Sequence, residues 1–80
     1  MQLRNLRIYR MPDGREYIAD LLHRDGAHLH PVKTWGNYSF AEFLVGRDGR
    51  IVRGSNPTPW SVEQLKDTGR DAQYPRASLL

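Results

Sequence analysis

The sequence contains no cysteine, so disulfide bonds and thiolate metal ligands are excluded as sources of stability. It also lacks any apolar run close to the roughly 20 residues that a membrane-spanning helix needs. Its first seven residues, Met-Gln-Leu-Arg-Asn-Leu-Arg, contain no apolar core of the signal-peptide type. We therefore expect a soluble, cytoplasmic protein with no membrane partner and no cofactor.

The 80 residues present predict one small domain. A chain of this length buries only about 60 % of the surface that it exposes when unfolded, so its stability is modest. The formal net charge is +3, and only two of the 12 basic residues are lysines. This charge is consistent with a surface that binds anions. It is equally consistent with the ordinary solubility charge of a small domain, since no run of five like charges occurs.

Three Asp-Gly pairs divide the chain into short segments, at Asp13-Gly14, Asp25-Gly26 and Asp48-Gly49. Glycine adopts the positive φ that tight turns need, and turn signals at this spacing are typical of an antiparallel meander. The pattern predicts a mainly β fold, a small five-stranded antiparallel sheet or open barrel. The five expected strands lie at about 3–11, 15–24, 27–35, 38–45 and 50–53.

The clearest of these segments is the hairpin at residues 38–53, because an aromatic and β-branched run precedes Asp48-Gly49 and a second apolar run follows it. With Asp48 and Gly49 as a two-residue loop, Val45 lies opposite Val52. Leu44 and Ile51 then point to the other face of the sheet.

The segment around 14–24 permits a second interpretation. Its apolar residues also fit one face of a helix, and Asp13 with Glu16 resembles a capping box. A helix here would change the fold class to α+β. We favour a strand, because Asp-Gly pairs on both sides are typical of hairpins and Gly14 would fall in the first turn of the helix.

Thr58 and Pro59 predict the start of a short C-terminal helix, with Thr as N-cap and Pro at the first helical position. Gly69 is expected to end this helix. Trp60 and Leu65 would pack its apolar side onto the sheet. The expected domain therefore spans 1–69, and 70–80 is expected to be a flexible tail.

All three histidines surround one turn, His23 before Asp25-Gly26 and His28 and His30 after it. With a two-residue loop, the three imidazoles lie on one face of a hairpin and could bind zinc. A loop longer by one residue disperses them. A histidine metal site is therefore one alternative, and its existence depends on the register.

No sequence pattern supports catalysis. The serines lie outside any nucleophile-elbow motif, and no glycine-rich phosphate loop occurs. Asp13, Asp25 and Asp48 are accounted for as turn residues, and Glu63 and Asp67 as the solvent side of the expected helix. We therefore predict a binding protein that is not an enzyme.

Part of the sequence resembles the Tudor family. The resemblance rests on residues 13–19, Asp-Gly-Arg-Glu-Tyr-Ile-Ala, then 24–26, Arg-Asp-Gly, and 35–37, Trp-Gly-Asn. The stretch from 13 to 37 that contains these segments covers about a third of the chain. Tudor domains are small, bent β-barrels that bind methylated Lys or Arg in an aromatic cage by cation–π attraction. The resemblance implies that Tyr17, Trp35 and Asn37 would form the cage.

The chain is rich in aromatic residues for its size, and Tyr9, Tyr17, Trp35, Tyr38 and Phe40 are more than so small a core can hold. Aromatic rings interleaved with arginines are typical of surfaces that stack single-stranded nucleic acid. We therefore predict nucleic acid as the ligand. The same rings are consistent with a protein partner or a homo-oligomer. The predicted ligand-binding residues are Arg7, Tyr9, Arg10, Arg15, Tyr17, Lys33, Trp35, Asn37 and Tyr38.

Overall fold

A computed structural model describes residues 2–36 and 40–74. These residues form seven β-strands and two single-turn 3-10 helices, η1 and η2, and they contain no α-helix. The elements in chain order are β1 (Arg7–Arg10), β2 (Glu16–Asp20), β3 (Ala27–Pro31), η1 (Val32–Thr34), β4 (Phe43–Val45), β5 (Arg50–Arg53), β6 (Asn56–Ser61), η2 (Val62–Gln64) and β7 (Lys66–Asp71). In this part of the chain, no helix has the length and apolar character needed to cross a membrane.

The strands form one open sheet in the order β6-β5-β4-β3-β2-β1-β7, in which every neighbouring pair is antiparallel. The prediction of a mainly β fold is confirmed. The predicted number of five strands is wrong, and so is the helix considered at 14–24, because Glu16–Asp20 forms β2 between β1 and β3.

The predicted C-terminal helix is also wrong. Residues 56–61 form β6 and residues 66–71 form β7. The physical reason is that a proline restricts the residue before it to extended conformations, so Pro57 and Pro59 favour a strand. Arg70 and Asp71, the start of the expected tail, lie in β7, and residues 75–80 are outside the described ranges.

A helix-start signal does exist three residues after Thr58. Ser61 and Gln64 form a capping box around η2, in which the Ser61 N–H donates to Gln64 Oε1 over 2.9 Å. This cap closes one 3-10 turn, and Leu65 after it is buried. The expected packing of Trp60 and Leu65 against the sheet occurs, but from a strand and a turn.

The connection from β6 to β7 bends the sheet. These strands are its two edges, yet only η2 and Leu65 lie between them. This short segment spans at most about 18 Å, whereas seven flat strands would be about 29 Å wide. The sheet must therefore curl until its edges approach each other.

The inner face of the curled sheet carries the core. Tyr17 meets Phe43 edge to face, with 5.3 Å between ring centroids, and Phe43 meets Trp60 at 6.0 Å. This arrangement suits the electrostatic quadrupoles of aromatic rings. The contiguous buried cluster consists of Tyr9, Met11, Tyr17, Ala19, Ala27, Leu29, Phe43, Val45, Ile51 and Leu65.

Two hairpins share one turn geometry, a three-residue loop centred on Asp13 between β1 and β2 and another centred on Asp48 between β4 and β5. In each loop the aspartate Oδ1 accepts the N–H two residues later, at 2.9 and 3.0 Å. Gly14 and Gly49 follow with φ of 89° and 83°. This is the three-residue hairpin loop with a left-handed third residue.

The third loop residue changes the predicted register of β4 and β5. Val45 pairs with Ile51 and Leu44 with Val52, one residue away from the two-residue-loop prediction. Val45 and Ile51 therefore share the buried face. The predicted pairing of Val45 with Val52 is wrong, because Arg47 also belongs to the loop.

The two edges of the sheet are protected in different ways. The prolines of β6 remove two N–H donors, and β7 carries alternating charges, both of which disfavour pairing with another chain. Both edges are also bulged, with a threonine side chain in each bulge. Thr58 donates to the carbonyl of Ile51, and Thr68 donates to that of Ile8.

An ion-pair network in two parts joins β7, β1 and β2, with Arg7 and its aspartates on the Tyr9 side of β1 and Glu16 with its arginines on the outer face. Arg7 lies 3.4 Å from Asp67 and 3.6 Å from Asp71. Glu16 accepts hydrogen bonds from Arg10, at 3.1 Å, and from Arg70. These hydrogen bonds lower the pKa of Glu16, and the one from Arg70 has the larger effect. Burial acts in the opposite direction but does not outweigh them. The network links the edge strand β7 to the middle of the sheet.

The substitution Glu16→Gln tests this network through pH. Because the pKa of Glu16 is lowered on folding, its contribution is present above the ordinary glutamate pKa and is lost as pH falls through the lowered value. We expect Glu16→Gln to lower the melting temperature at neutral pH, and we expect this difference to vanish in acid. Thermal unfolding followed by circular dichroism across pH measures both. A difference that is constant at every pH would contradict the prediction.

Gly26 marks a close approach between the β2–β3 loop and β4. Its φ is 126°, and a Cβ placed on it would overlap the carbonyl oxygen of Val45. We therefore expect Gly26→Ala to destabilise the protein by about 2 kcal/mol or more, as measured by urea unfolding. Gly14→Ala is the matched control, since Gly14 also has a positive φ but no atom within 4 Å of the added Cβ. Equal losses in the two variants would contradict the role of the contact.

Candidate functional site

A groove of about 650 Å³ lies between the β1–β2 turn and η1. The pairing of Tyr17 with Pro31 brings its two sides together, because residues before Tyr17 and after Pro31 then face one another. Three predicted ligand-binding residues line it, namely Arg15, Tyr17 and Lys33. Pro31 and Val32 contribute apolar surface.

The cations of the groove come from two different elements. Arg15 follows the β1–β2 turn, and its side chain is 71 % exposed with its Nε 4.0 Å from Asp13. Lys33 is in η1 and is exposed. At such exposure the contact with Asp13 is weak. Both side chains can therefore meet an incoming anion.

Two carboxylates also line the groove, and both are held by arginines. Glu16 belongs to the network on the outer face, and Glu42 accepts a hydrogen bond from Arg53. Glu16 and Glu42 each have an arginine beside them, which offsets their charges, and Arg15 and Lys33 add two further cations, of which Arg15 also lies near Asp13. The groove is electrostatically suited to an anionic ligand.

Tyr9 and Tyr17 do not form the predicted stacking surface. Each is only 1 % exposed and belongs to the core, so neither ring has a face open to a ligand. The Tyr9 hydroxyl accepts the N–H of Arg4 over 2.8 Å. Burial raises the pKa of Tyr17, with Glu42 and Asp13 adding to the effect. The alternation of side chains along a strand, which predicted β1 and β2, puts both rings on the inner face of the sheet.

Arg7 and Arg10 do not line the groove, and they lie on opposite faces of β1 because they are three residues apart in this strand. The Arg7 side chain is only 12 % exposed between Asp67 and Asp71. Arg10 is half exposed and is bound to Glu16. Sequence reasoning missed Asp67 and Asp71 as partners of Arg7 because β7 is far from β1 in the chain, and only the sheet order makes the two strands neighbours.

Trp35 follows η1 and holds the segment after β7. Its indole Nε1 donates to the carbonyl of Gln73 over 2.6 Å. The ring lies 5.2 Å from His30 and 6.5 Å from Tyr74, centroid to centroid. Part of the ring remains exposed. Asn37 and Tyr38, the other predicted residues of this segment, lie outside the described residues.

Phe40 is the most exposed large apolar side chain of the described residues, at 91 %. It lies two residues before Glu42, which lines the groove. Sequence reasoning counted Phe40 among the surplus aromatics without giving it a role. With Tyr17 in the core, Trp35 and Phe40 remain as surface aromatics near the groove. Of the cage residues that the Tudor resemblance implies, only Trp35 has a partly exposed ring in the described part of the chain.

The histidines form a second cluster at the other end of β2. The rings of His23 and His28 stack 3.7 Å apart, with 9° between their planes. Asp20 pairs with His28 in the ladder, so residues 21–26 form the loop, which is longer than either of the two turns that the sequence left open. His30 is not part of the stack, because it lies against Trp35.

A carboxylate accompanies each stacked ring. Nε2 of His23 lies 3.0 Å from Asp20 Oδ2, and Nε2 of His28 lies 3.0 Å from Asp25 Oδ1. The hydrogen bond with His28 lowers the pKa of Asp25. Burial acts to raise the pKa of Asp20, but the Leu22 N–H and His23 outweigh it and lower the pKa. Imidazole and carboxylate groups at such distances are suited to metal binding.

Asp20 and Asp25 are the members of this cluster that sequence reasoning missed, since Asp25 was interpreted only as a turn residue. An aspartate three residues before a histidine is a usable signal, but its meaning depends on the loop length. Comparisons of the chain with protein-family models, curated proteins and solved structures found no match.

Proposed function

We propose that this protein is a non-enzymatic binding module that takes single-stranded nucleic acid in the groove beside η1. The observation that carries the proposal is the placement of Arg15 and Lys33 on one groove from two separate elements. A groove of about 650 Å³ is within the range of pockets that hold ligands of nucleotide size.

The groove combines cations with an apolar lining, which nucleic acid requires. Phosphates bind arginine and lysine, whereas the faces of bases prefer apolar or aromatic surfaces. Pro31 and Val32 supply apolar surface inside the groove. Phe40 lies two residues before Glu42 of the groove lining, and its side chain is almost fully exposed. Stacking of a base on such a ring contributes about 1–3 kcal/mol.

The carboxylates support binding over catalysis. A general acid or base needs a pKa near the working pH, which burial usually provides for a carboxyl group. Glu16 has a lowered pKa instead, because Arg70 and Arg10 donate hydrogen bonds to it. Glu42 is likewise held by Arg53. Both groups serve to fix arginines around the groove.

The double substitution Arg15→Gln/Lys33→Gln tests this function. We expect it to weaken binding of a fluorescently labelled oligothymidylate at least tenfold, because two phosphate contacts are lost. The slope of log affinity against log salt should fall by about 0.7 for each lost contact. Fluorescence anisotropy at several salt concentrations measures both quantities.

The matched control is Arg24→Gln/Lys66→Gln, which removes the same charge from exposed positions outside the groove. It should retain most of the affinity. Equal losses in both double variants would show a nonspecific charge effect and would overturn the assignment of the groove. Absence of binding by the unaltered protein at low salt would overturn the function itself.

A protein-interaction or self-assembly module is the second candidate function. It is favoured by the exposure of Phe40, Leu22 and Tyr74, which are the large apolar side chains that the described residues leave open. Single exposed apolar residues are common, whereas an exposed phenylalanine is a typical interface anchor.

The substitution Phe40→Ser tests the second candidate. If Phe40 anchors self-association, light scattering should show a mass that rises with concentration in the unaltered protein, and the variant should remain monomeric. Leu22→Ser, at another exposed apolar position, is the control and should leave the mass unchanged. A monomer at every concentration in the unaltered protein would contradict self-assembly.

A further inference from the structure

We propose that His23, Asp25 and His28 bind one divalent first-row transition-metal ion, with zinc as the reference ion. The site lies at the end of β2 opposite Arg15, in the β2–β3 loop and the start of β3. It is therefore separate from the groove. It also differs from the arrangement that the sequence predicted, because Asp25 takes the place of His30.

The donor atoms are already close together. One ligand atom from each of the three residues lies within 4.8 Å of the other two, and His28 Nε2 is 3.0 Å from Asp25 Oδ1. Zinc bonds of about 2.0–2.2 Å in a tetrahedron place ligand atoms about 3.3–3.6 Å apart. The stacked imidazoles would have to rotate out of their parallel arrangement to direct one nitrogen each at the ion, and both side chains are exposed or half-buried, which leaves room for that rotation.

The chemistry of the donors selects the class of ion. Two imidazoles and one carboxylate suit zinc, nickel or copper, whereas magnesium and calcium prefer oxygen ligands. Three protein ligands leave a tetrahedral ion with one open position. Water, or a group from a bound partner, would fill that position.

Asp20 is placed as a positioning residue for His23. Its Oδ2 lies 3.0 Å from His23 Nε2, while its Oδ1 accepts the Leu22 N–H over 3.1 Å. A carboxylate on one ring nitrogen fixes the orientation of the imidazole and leaves the other nitrogen for the metal. This second carboxylate distinguishes the cluster from histidines that merely lie near one another.

The loop that carries His23 and Asp25 is held at several points. The Leu21 N–H donates to the Asn5 side chain over 2.9 Å, and Arg47 donates to the Arg24 carbonyl over 3.4 Å. Gly26 lies against the Val45 carbonyl, where no side chain would fit. Such anchoring reduces the entropy that the loop would lose on binding an ion.

Isothermal titration with zinc tests the site. We expect one zinc per chain, and we expect the melting temperature to rise with zinc concentration, since an ion that binds the folded chain stabilises it. His23→Ala or His28→Ala should abolish both effects. Asp20→Asn should weaken zinc binding by about 10- to 100-fold, as loss of an outer-shell partner does.

His30→Ala is the matched control, because His30 is on the same strand as His28 but lies against Trp35. It should bind zinc as the unaltered protein does. Circular dichroism without zinc verifies that each variant is folded, and Asp25→Asn serves as a further ligand variant. Absence of zinc binding by the unaltered protein would overturn the site. So would binding that survives both His23→Ala and His28→Ala, or binding that His30→Ala abolishes.

Discussion

The short connection between β6 and β7 is the constraint on which the rest of the structure depends. It joins the two edges of the sheet through η2 and Leu65, so the sheet has to curl. Curling creates an inner face that can hold two tyrosines and a phenylalanine in a chain of only 80 residues. It also brings β7 beside β1, so that β7 supplies Asp67 and Asp71 to Arg7, and Arg70 to Glu16. The groove and the histidine cluster lie at opposite ends of one strand of this bent sheet.

Local turn chemistry accounts for most of what could be predicted from the sequence. Asp13 and Asp48 each accept the N–H two residues later, and glycine follows, so both hairpins are determined by adjacent residues. The mainly β class follows from these signals. The register does not follow from these signals. A third loop residue pairs Val45 with Ile51 instead of Val52, so the side chains of β5 change from one face of the sheet to the other. The pairing of β2 with β3 was still harder to predict, because Asp25-Gly26 is the end of a longer loop formed by residues 21–26.

The remaining errors have nonlocal causes. Thr58 and Pro59 satisfy the local rules for a helix start, but Thr58 donates to the Ile51 carbonyl across the sheet and belongs to a bulged edge strand. Tyr9 and Tyr17 suit a stacking surface by composition, and only their position in adjacent central strands puts both in the core. The sequence indicated Arg15 and Lys33 only as members of a longer list of ligand-binding candidates and did not place them side by side. Their common groove depends on the pairing of Tyr17 with Pro31.

The two proposed sites are joined by β2 but are electrostatically independent. Arg15 precedes this strand and Asp20 ends it, a separation of about 17 Å along extended chain. The Debye length at physiological ionic strength is about 8 Å, so charges exposed at the two ends are largely screened from each other. Coupling through the strand itself would require a movement of β2, whose Tyr17, Ile18 and Ala19 are all buried. A packed centre of this kind resists small displacements. The sheet is therefore a rigid spacer between the two proposed sites, and we expect an ion at the histidine end to leave the affinity of the groove unchanged.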